Sequence, residues 1–161
     1  MAKLTEALIK KRDTPGVIAP PPIIFAGALG AAFLLDLLIP MKVPMISLEI
    51  PGYVLLGIGV LMVLWAVMAM RRAGTTANPN KKTLALVTGG PFRFSRNPVY
   101  LGMTMLYFGL ALALNSLWPV VLYPLLLIVM LFGVIFREER YLLLRFGTKY
   151  LKYKVAVRRW L

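Results

Sequence analysis

The stretch Leu117–Phe136, LWPVVLYPLLLIVMLFGVIF, runs for twenty residues without a charge. As a helix it is about 30 Å long at 1.5 Å per residue, the thickness of the hydrocarbon core of a bilayer. Three further apolar runs precede it, Pro20–Ile39, Tyr53–Met70 and Val99–Leu114, and the last is near the lower limit for spanning. Of the 161 residues, 60% are hydrophobic and only 16% charged. A soluble domain of this size cannot hide so much apolar surface in one small core. The sequence therefore predicts an all-α, polytopic membrane protein of about four transmembrane helices.

The net charge of +13 is distributed unevenly. Lys3, Lys10, Lys11 and Arg12 lie in the N-terminal tail, six Lys and Arg between the second and third spans, and eight after the fourth. Only Lys42 lies in the connection between the first and second spans, and Asn115-Ser116 between the third and fourth carries no charge. Four spans place all cations but Lys42 on one side, so both termini are expected in the cytoplasm. Topology and attraction to anionic lipids account for the basic excess, and no nucleic-acid partner is expected. The first apolar run is too long for a signal-peptide core, and an uncleaved first helix is expected. The small size suggests a prokaryotic plasma membrane.

The chain has no cysteine and no histidine. Thiolate nucleophiles and cysteine-ligated metals are excluded, and the commonest general base and metal ligand is missing. Three regions are expected: a basic tail over 1–19, a first transmembrane hairpin over 20–70, and a catalytic region over 71–161. The catalytic region comprises a cytoplasmic loop, a second hairpin closed by Asn115-Ser116, and C-terminal interfacial helices. Asp36, near the outer end of the first span, reads as structural.

The loop RRAGTTANPNKKTLALVTGGPFRFSRNP (71–98) is far longer than a hairpin needs, and its apolar content predicts order. TLALVT within it reads as a short apolar surface patch. It ends in GPFRFSRNPVYLG (90–102). Asn97 is a preferred helix N-cap and Pro98 a preferred first helical residue. The N–H groups of Val99, Tyr100 and Leu101 then point back to the cytoplasm beside Arg93 and Arg96, which favours an anion there. Gly102 permits close approach to the first turn. Glu138 and Glu139, two of only six acidic residues, end the fourth span at the same level. An anion-binding helix end beside two carboxylates suits a zwitterionic amino acid. Further on, the helix is expected to stop at Gly147 and Thr148 to cap a second one. There Tyr150, Leu151, Tyr153, Val155 and Trp160 alternate with cations, in a pattern suited to the membrane interface.

GPFRFSRNPVYLG, followed by REE (137–139) and FGTKYLKYKVAVRRWL (146–161), resembles the isoprenylcysteine carboxyl methyltransferase family and the related phospholipid N-methyltransferases. The resemblance covers roughly Gly74 to Trp160. It implies an S-adenosylmethionine-dependent membrane enzyme with its cofactor at the cytoplasmic face and a lipid-like acceptor arriving from the bilayer. The family's Arg-His-Pro-x-Tyr-x-Gly corresponds to Arg96, Asn97, Pro98, Tyr100 and Gly102, and its glutamate pair to Glu138 and Glu139. Asn97 stands where the family has histidine, and Arg158 where it has proline. The resemblance makes Glu138, Glu139 and Arg96 the candidate catalytic residues. Arg93, Asn97, Pro98, Tyr100, Leu101, Gly102 and the two glutamates become candidate cofactor contacts, with no metal. Glu138 or Glu139 would meet the cofactor's ammonium, and Arg93, Arg96 or the helix end its carboxylate. Phe92 and Tyr100 would flank its sulfonium or adenine. A carboxylate acceptor, such as that of a prenylated cysteine, needs no general base and so suits a chain without histidine. A phospholipid amine would have to lose its proton to a glutamate. Two other classes stay open: a membrane reductase using NADPH, and a non-catalytic protein binding anionic lipid.

Overall fold

The computed structural model describes residues 14–42, 48–79 and 81–161. The four cations of the N-terminal tail and residues 43–47 of the connection between the first two spans lie outside them. All regular structure among the described residues is helical. Helix α1 is Pro21–Leu38 and α2 is Glu49–Arg72. After the long loop and a 3₁₀ turn at Gly90–Arg93 comes α3, Pro98–Ala113. Then α4, Trp118–Met130, passes through a π-helical turn at Leu131–Ile135 into α5, Phe136–Phe146. Helix α6 is Thr148–Ala156.

Three of these are long and apolar enough to cross a membrane: α1, α2 and the continuous rod Trp118–Phe146. Helix α3, with sixteen residues, is shorter, as its sequence predicts. Proline opens α1 and α3 at positions where a missing N–H costs nothing. The turn between α3 and α4 spans the four residues 114–117, with Asn115 at φ 47°, a conformation asparagine tolerates better than most. Large apolar side chains such as Leu34, Leu37, Ile50 and Leu61 are exposed on α1 and α2, as a lipid-facing surface requires.

The first two spans follow each other in sequence, but each packs mainly on a different helix. Helix α2 packs along α3, and α1 packs on α4, so the two flank the α3–α4 pair. Glycine spacing explains the α2–α3 seam. Gly52 and Gly59 on α2 face Gly109 and Gly102 on α3, each pair recurring at seven residues. A Cβ on Gly59 would lie 2.9 Å from the Gly102 carbonyl oxygen, and one on Gly52 would lie 2.5 Å from the Ala113 nitrogen. Backbones this close gain dispersion contacts that lipid tails cannot match.

On the other side, Phe25, Tyr107, Leu126 and Met130 interlock among α1, α3 and α4, with the Phe25 and Tyr107 rings edge to face at 6.1 Å. One end of the bundle is fastened by Asp36, which accepts hydrogen bonds from the Lys42 ammonium and, at 3.0 Å, from the Ser116 hydroxyl. The Trp118 indole donates to the Ile39 carbonyl across the same joint at 2.7 Å. Asp36 thus has the structural role read from its position. The opposite end carries the basic loop, α5 and α6.

Candidate functional site

At the basic end, Pro91 and Phe92 are buried in the 3₁₀ turn, anchored by the Tyr153 hydroxyl, which donates to the Phe92 carbonyl at 2.8 Å. Gly90, at φ 60°, lets that turn sit against Trp65 and Ala69 of α2. The Leu84 N–H donates to Thr75 Oγ1 at 3.0 Å, and the Thr83 N–H to the Tyr141 hydroxyl at 3.2 Å. In TLALVT Leu84 and Thr88 are exposed, whereas Leu86 and Val87 turn inward on Phe92, Tyr150 and Tyr153.

Asn97 holds the cap position of α3, but its side chain makes no capping bond. Its Nδ2 instead donates to the Arg159 carbonyl at 3.1 Å. That carbonyl also accepts from Ser95 Oγ at 3.1 Å, and the Arg158 carbonyl accepts from the Arg96 N–H at 3.0 Å. The residues after α6 are thereby strapped across the start of α3. Thr148 makes no side-chain cap for α6 either, which begins directly from Gly147.

The two glutamates meet different partners. Tyr100 donates its hydroxyl to Glu138, whose carboxylate oxygens lie 2.7 and 2.8 Å away. No cation pairs with Glu138 among the described residues. Glu139 is gripped by Arg159 through Nε at 2.9 Å and Nη2 at 3.0 Å, a bidentate pair. Arg96 Nη1 lies 3.2 Å from Glu139 and Lys154 Nζ 3.9 Å from it. Glu139 raises the Arg159 guanidinium above its usual range, by hydrogen bonding first. Neither glutamate relies on Arg137 or Arg140 beside it in sequence.

Arg96 pairs in charge with Glu139 but, among the described residues, leaves donors unused. Its side chain is only 9% exposed. Although Nη1 is close enough to Glu139 for charge attraction, Nε and Nη1 make no hydrogen bond among the described residues. Buried guanidinium N–H groups without acceptors are costly, and they mark a place for an anion. Burial pushes the Tyr150 hydroxyl up to about 12, helped by the Glu139 charge and opposed by Arg96. Burial also raises the Tyr153 hydroxyl.

These groups line one cavity of about 120 Å³. At 10–15 Å³ per water, that is room for roughly ten water molecules. Arg96, Asn97, Glu138 and Glu139, with Thr76, Asn78 and Thr83 of the loop, supply polar groups, and Phe92, Pro98, Tyr100, Tyr141, Tyr150 and Tyr153 much of its wall. Three candidates from the sequence lie elsewhere. Arg93 is exposed. Gly102 faces α2, where a Cβ would lie 2.7 Å from Val63 Cγ2, so its lost side chain serves helix packing and not a ligand. The Leu101 N–H is no free donor, because it bonds the Asn97 carbonyl at 3.0 Å.

Tyr150 and Tyr153 are missing from the sequence-based site, having been assigned to the membrane interface. Their three-residue spacing puts them on one face of α6, and that face turns into the cavity while Leu151 and Val155 stay exposed. The π-turn was also invisible, and it decides where the glutamates point. In an unbroken α-helix the eight residues from Met130 to Glu138 would turn Glu138 about 80° away from that buried side chain. Absorbing one extra residue reduces the difference to about 20°. Glu138 therefore returns to the α3-facing side, where Tyr100 waits, and Glu139 follows towards Arg96.

Residues 48–149 match the family model described as phospholipid methyltransferase. No curated protein and no solved structure matches the chain. The match covers more than half of the chain and includes Arg96, Tyr100, Glu138 and Glu139 of the cavity. This helical membrane protein belongs to the phospholipid methyltransferase family, which includes the isoprenylcysteine carboxyl methyltransferases and the phospholipid N-methyltransferases.

Proposed function

We propose that the protein is an S-adenosylmethionine-dependent methyltransferase acting on a lipid-like acceptor, with its cavity and both termini on the cytoplasmic side of the membrane. One observation carries this reading. A single cavity holds a buried carboxylate, Glu138, and a buried guanidinium, Arg96; among the described residues the first has no cation and the second has unused N–H groups. That donor set fits an amino-acid zwitterion: Arg96 would hold the carboxylate of S-adenosylmethionine and Glu138 its ammonium. When bound, the cofactor supplies an activated methyl group. Tyr100 fixes the Glu138 carboxylate, and the aromatic and apolar wall excludes water, which leaves positioning and desolvation as the protein's main contributions to rate. Glu139 stays engaged with Arg159 and shapes the site without being free to meet a ligand. The exposed cations of α6 suit anionic lipid headgroups, which would hold the cavity at the membrane surface.

The acceptor in this reading is an amphiphile with its tail in the bilayer. The carboxylate of a prenylated cysteine reacts without losing a proton, which suits a site without histidine. A phospholipid amine is the second reading, favoured by the family match; there Glu138 would have to take the amine's proton instead of holding the cofactor's ammonium. Purified protein in nanodiscs, given methyl-labelled cofactor, should transfer label to either phosphatidylethanolamine or a farnesylcysteine analogue. Label in neither, from protein that binds the cofactor, would require a different acceptor. Failure to bind the cofactor would remove the methyltransferase reading itself.

A further inference from the structure

The π-turn that aims the glutamates is less favourable than a continuous α-helix, so something has to hold it open. Its geometry is explicit: the Phe136 N–H bonds the Leu131 carbonyl five residues back. The segment Pro15–Ile18, before α1, lies across it. The Ile18 N–H donates to the Gly133 carbonyl at 3.1 Å, a carbonyl inside the turn. The Ile18 side chain fills the space beside Gly133, where a Cβ would come within 2.4 Å of Ile18 Cδ1. Arg137, one residue before Glu138, donates from Nη1 to the Gly16 carbonyl at 2.8 Å and from Nε to the Phe132 carbonyl at 3.4 Å. Gly16, at φ 65°, makes the bend that presents its carbonyl. Pro15 reaches the cavity wall itself.

From these contacts we infer that the Pro15–Ile18 strap is the template for the π-turn, and that Ile18, Gly133 and Arg137 are positioning residues for Glu138 and Glu139. With the strap detached, the helix relaxes by one residue and α5 rotates by about 100°, carrying both carboxylates away from Tyr100 and Arg96. The strap lies outside the residues that match the family model, so the match says nothing about it. Its consequence for catalysis rests on the methyltransferase reading, but its effect on α5 does not.

The absence of cysteine makes a direct test possible. A chain carrying Tyr100→Cys and Glu138→Cys is treated with a short bifunctional thiol reagent in detergent or nanodiscs. The pair should cross-link within one chain. Adding Ile18→Pro, which removes the N–H, or Gly133→Leu, which evicts the Ile18 side chain, should reduce the yield to the background of the single-cysteine chains. Ile18→Val, which keeps the donor and the branched side chain, should restore it. Should Ile18→Pro not fold, Gly133→Leu and Arg137→Ala carry the test. Parental cross-linking in either folded strap variant, or none in the starting pair, would overturn the proposal. Binding of S-adenosylhomocysteine by the chain without added cysteines decides the methyltransferase reading separately.

Discussion

Glu138 and Glu139 are adjacent in sequence, yet they answer to opposite requirements. Glu139 is held by Arg159 and Arg96, so Glu139→Gln leaves a buried guanidinium without its counter-charge, at a cost on the order of 3 kcal/mol. Thermal unfolding in detergent should show a clear loss of stability for that variant. Glu138 has no cation partner among the described residues, so Glu138→Gln should keep the parental unfolding temperature while losing about 2–5 kcal/mol of affinity for a cationic ligand. Equal stability loss in both variants would refute this division of roles. Tyr150 gives a pH-dependent check. Its hydroxyl is pushed up to about 12, so the folded chain keeps a proton that the unfolded chain loses near pH 10. The sign follows: stability should fall as pH rises from 10 towards 12, and Tyr150→Phe should flatten that part of the profile.

Among the elements, the α2–α3 seam depends on backbone contact. Gly59→Leu would drive a side chain into the Gly102 carbonyl, which cannot move aside, and should cost about 1–3 kcal/mol or more. Gly27 on α1 meets nothing within 4 Å, so Gly27→Leu should leave stability unchanged when both are compared by unfolding in detergent. This contrast shows where sequence reading reached its limit. The apolar runs marked four helices to within a few residues, because lipid demands length and hydrophobicity from each helix alone. The seven-residue glycine spacing was there to be seen, but nothing local says which helix it faces. The pairing of α2 with α3 and of α1 with α4 comes from tertiary fit. The π-turn is the extreme case: Leu131–Ile135 reads as more apolar helix, and its opening is set by a strap more than a hundred residues earlier. Arg96, Asn97, Tyr100 and the glutamates could be grouped in advance because a helix start and a helix end were forced to one level. Tyr150 and Tyr153 were lost to the interface because aromatic residues among cations suit both settings.

For the molecule as a whole, one end is tied by Asp36, Lys42, Ser116 and Trp118, and the other holds the cavity under the loop, α6 and the two terminal straps. The charge asymmetry supports the proposed cytoplasmic location of the cavity end. Single cysteines at Lys42 and Lys149 in the cysteine-free chain would report it: a membrane-impermeant maleimide should label Lys42→Cys in intact cells and Lys149→Cys only after permeabilisation. The reverse pattern would put the cavity outside, away from the cytoplasmic cofactor supply. In the proposed function, Glu138 and Arg96 together receive a zwitterionic sulfur cofactor. Calorimetry of purified protein with S-adenosylmethionine and S-adenosylhomocysteine, with NADPH as control, tests it most directly. The expected result is binding of both sulfur compounds, none of NADPH, and loss of that binding in a folded Glu138→Gln chain. Binding of NADPH alone, or unchanged binding in Glu138→Gln, would contradict it.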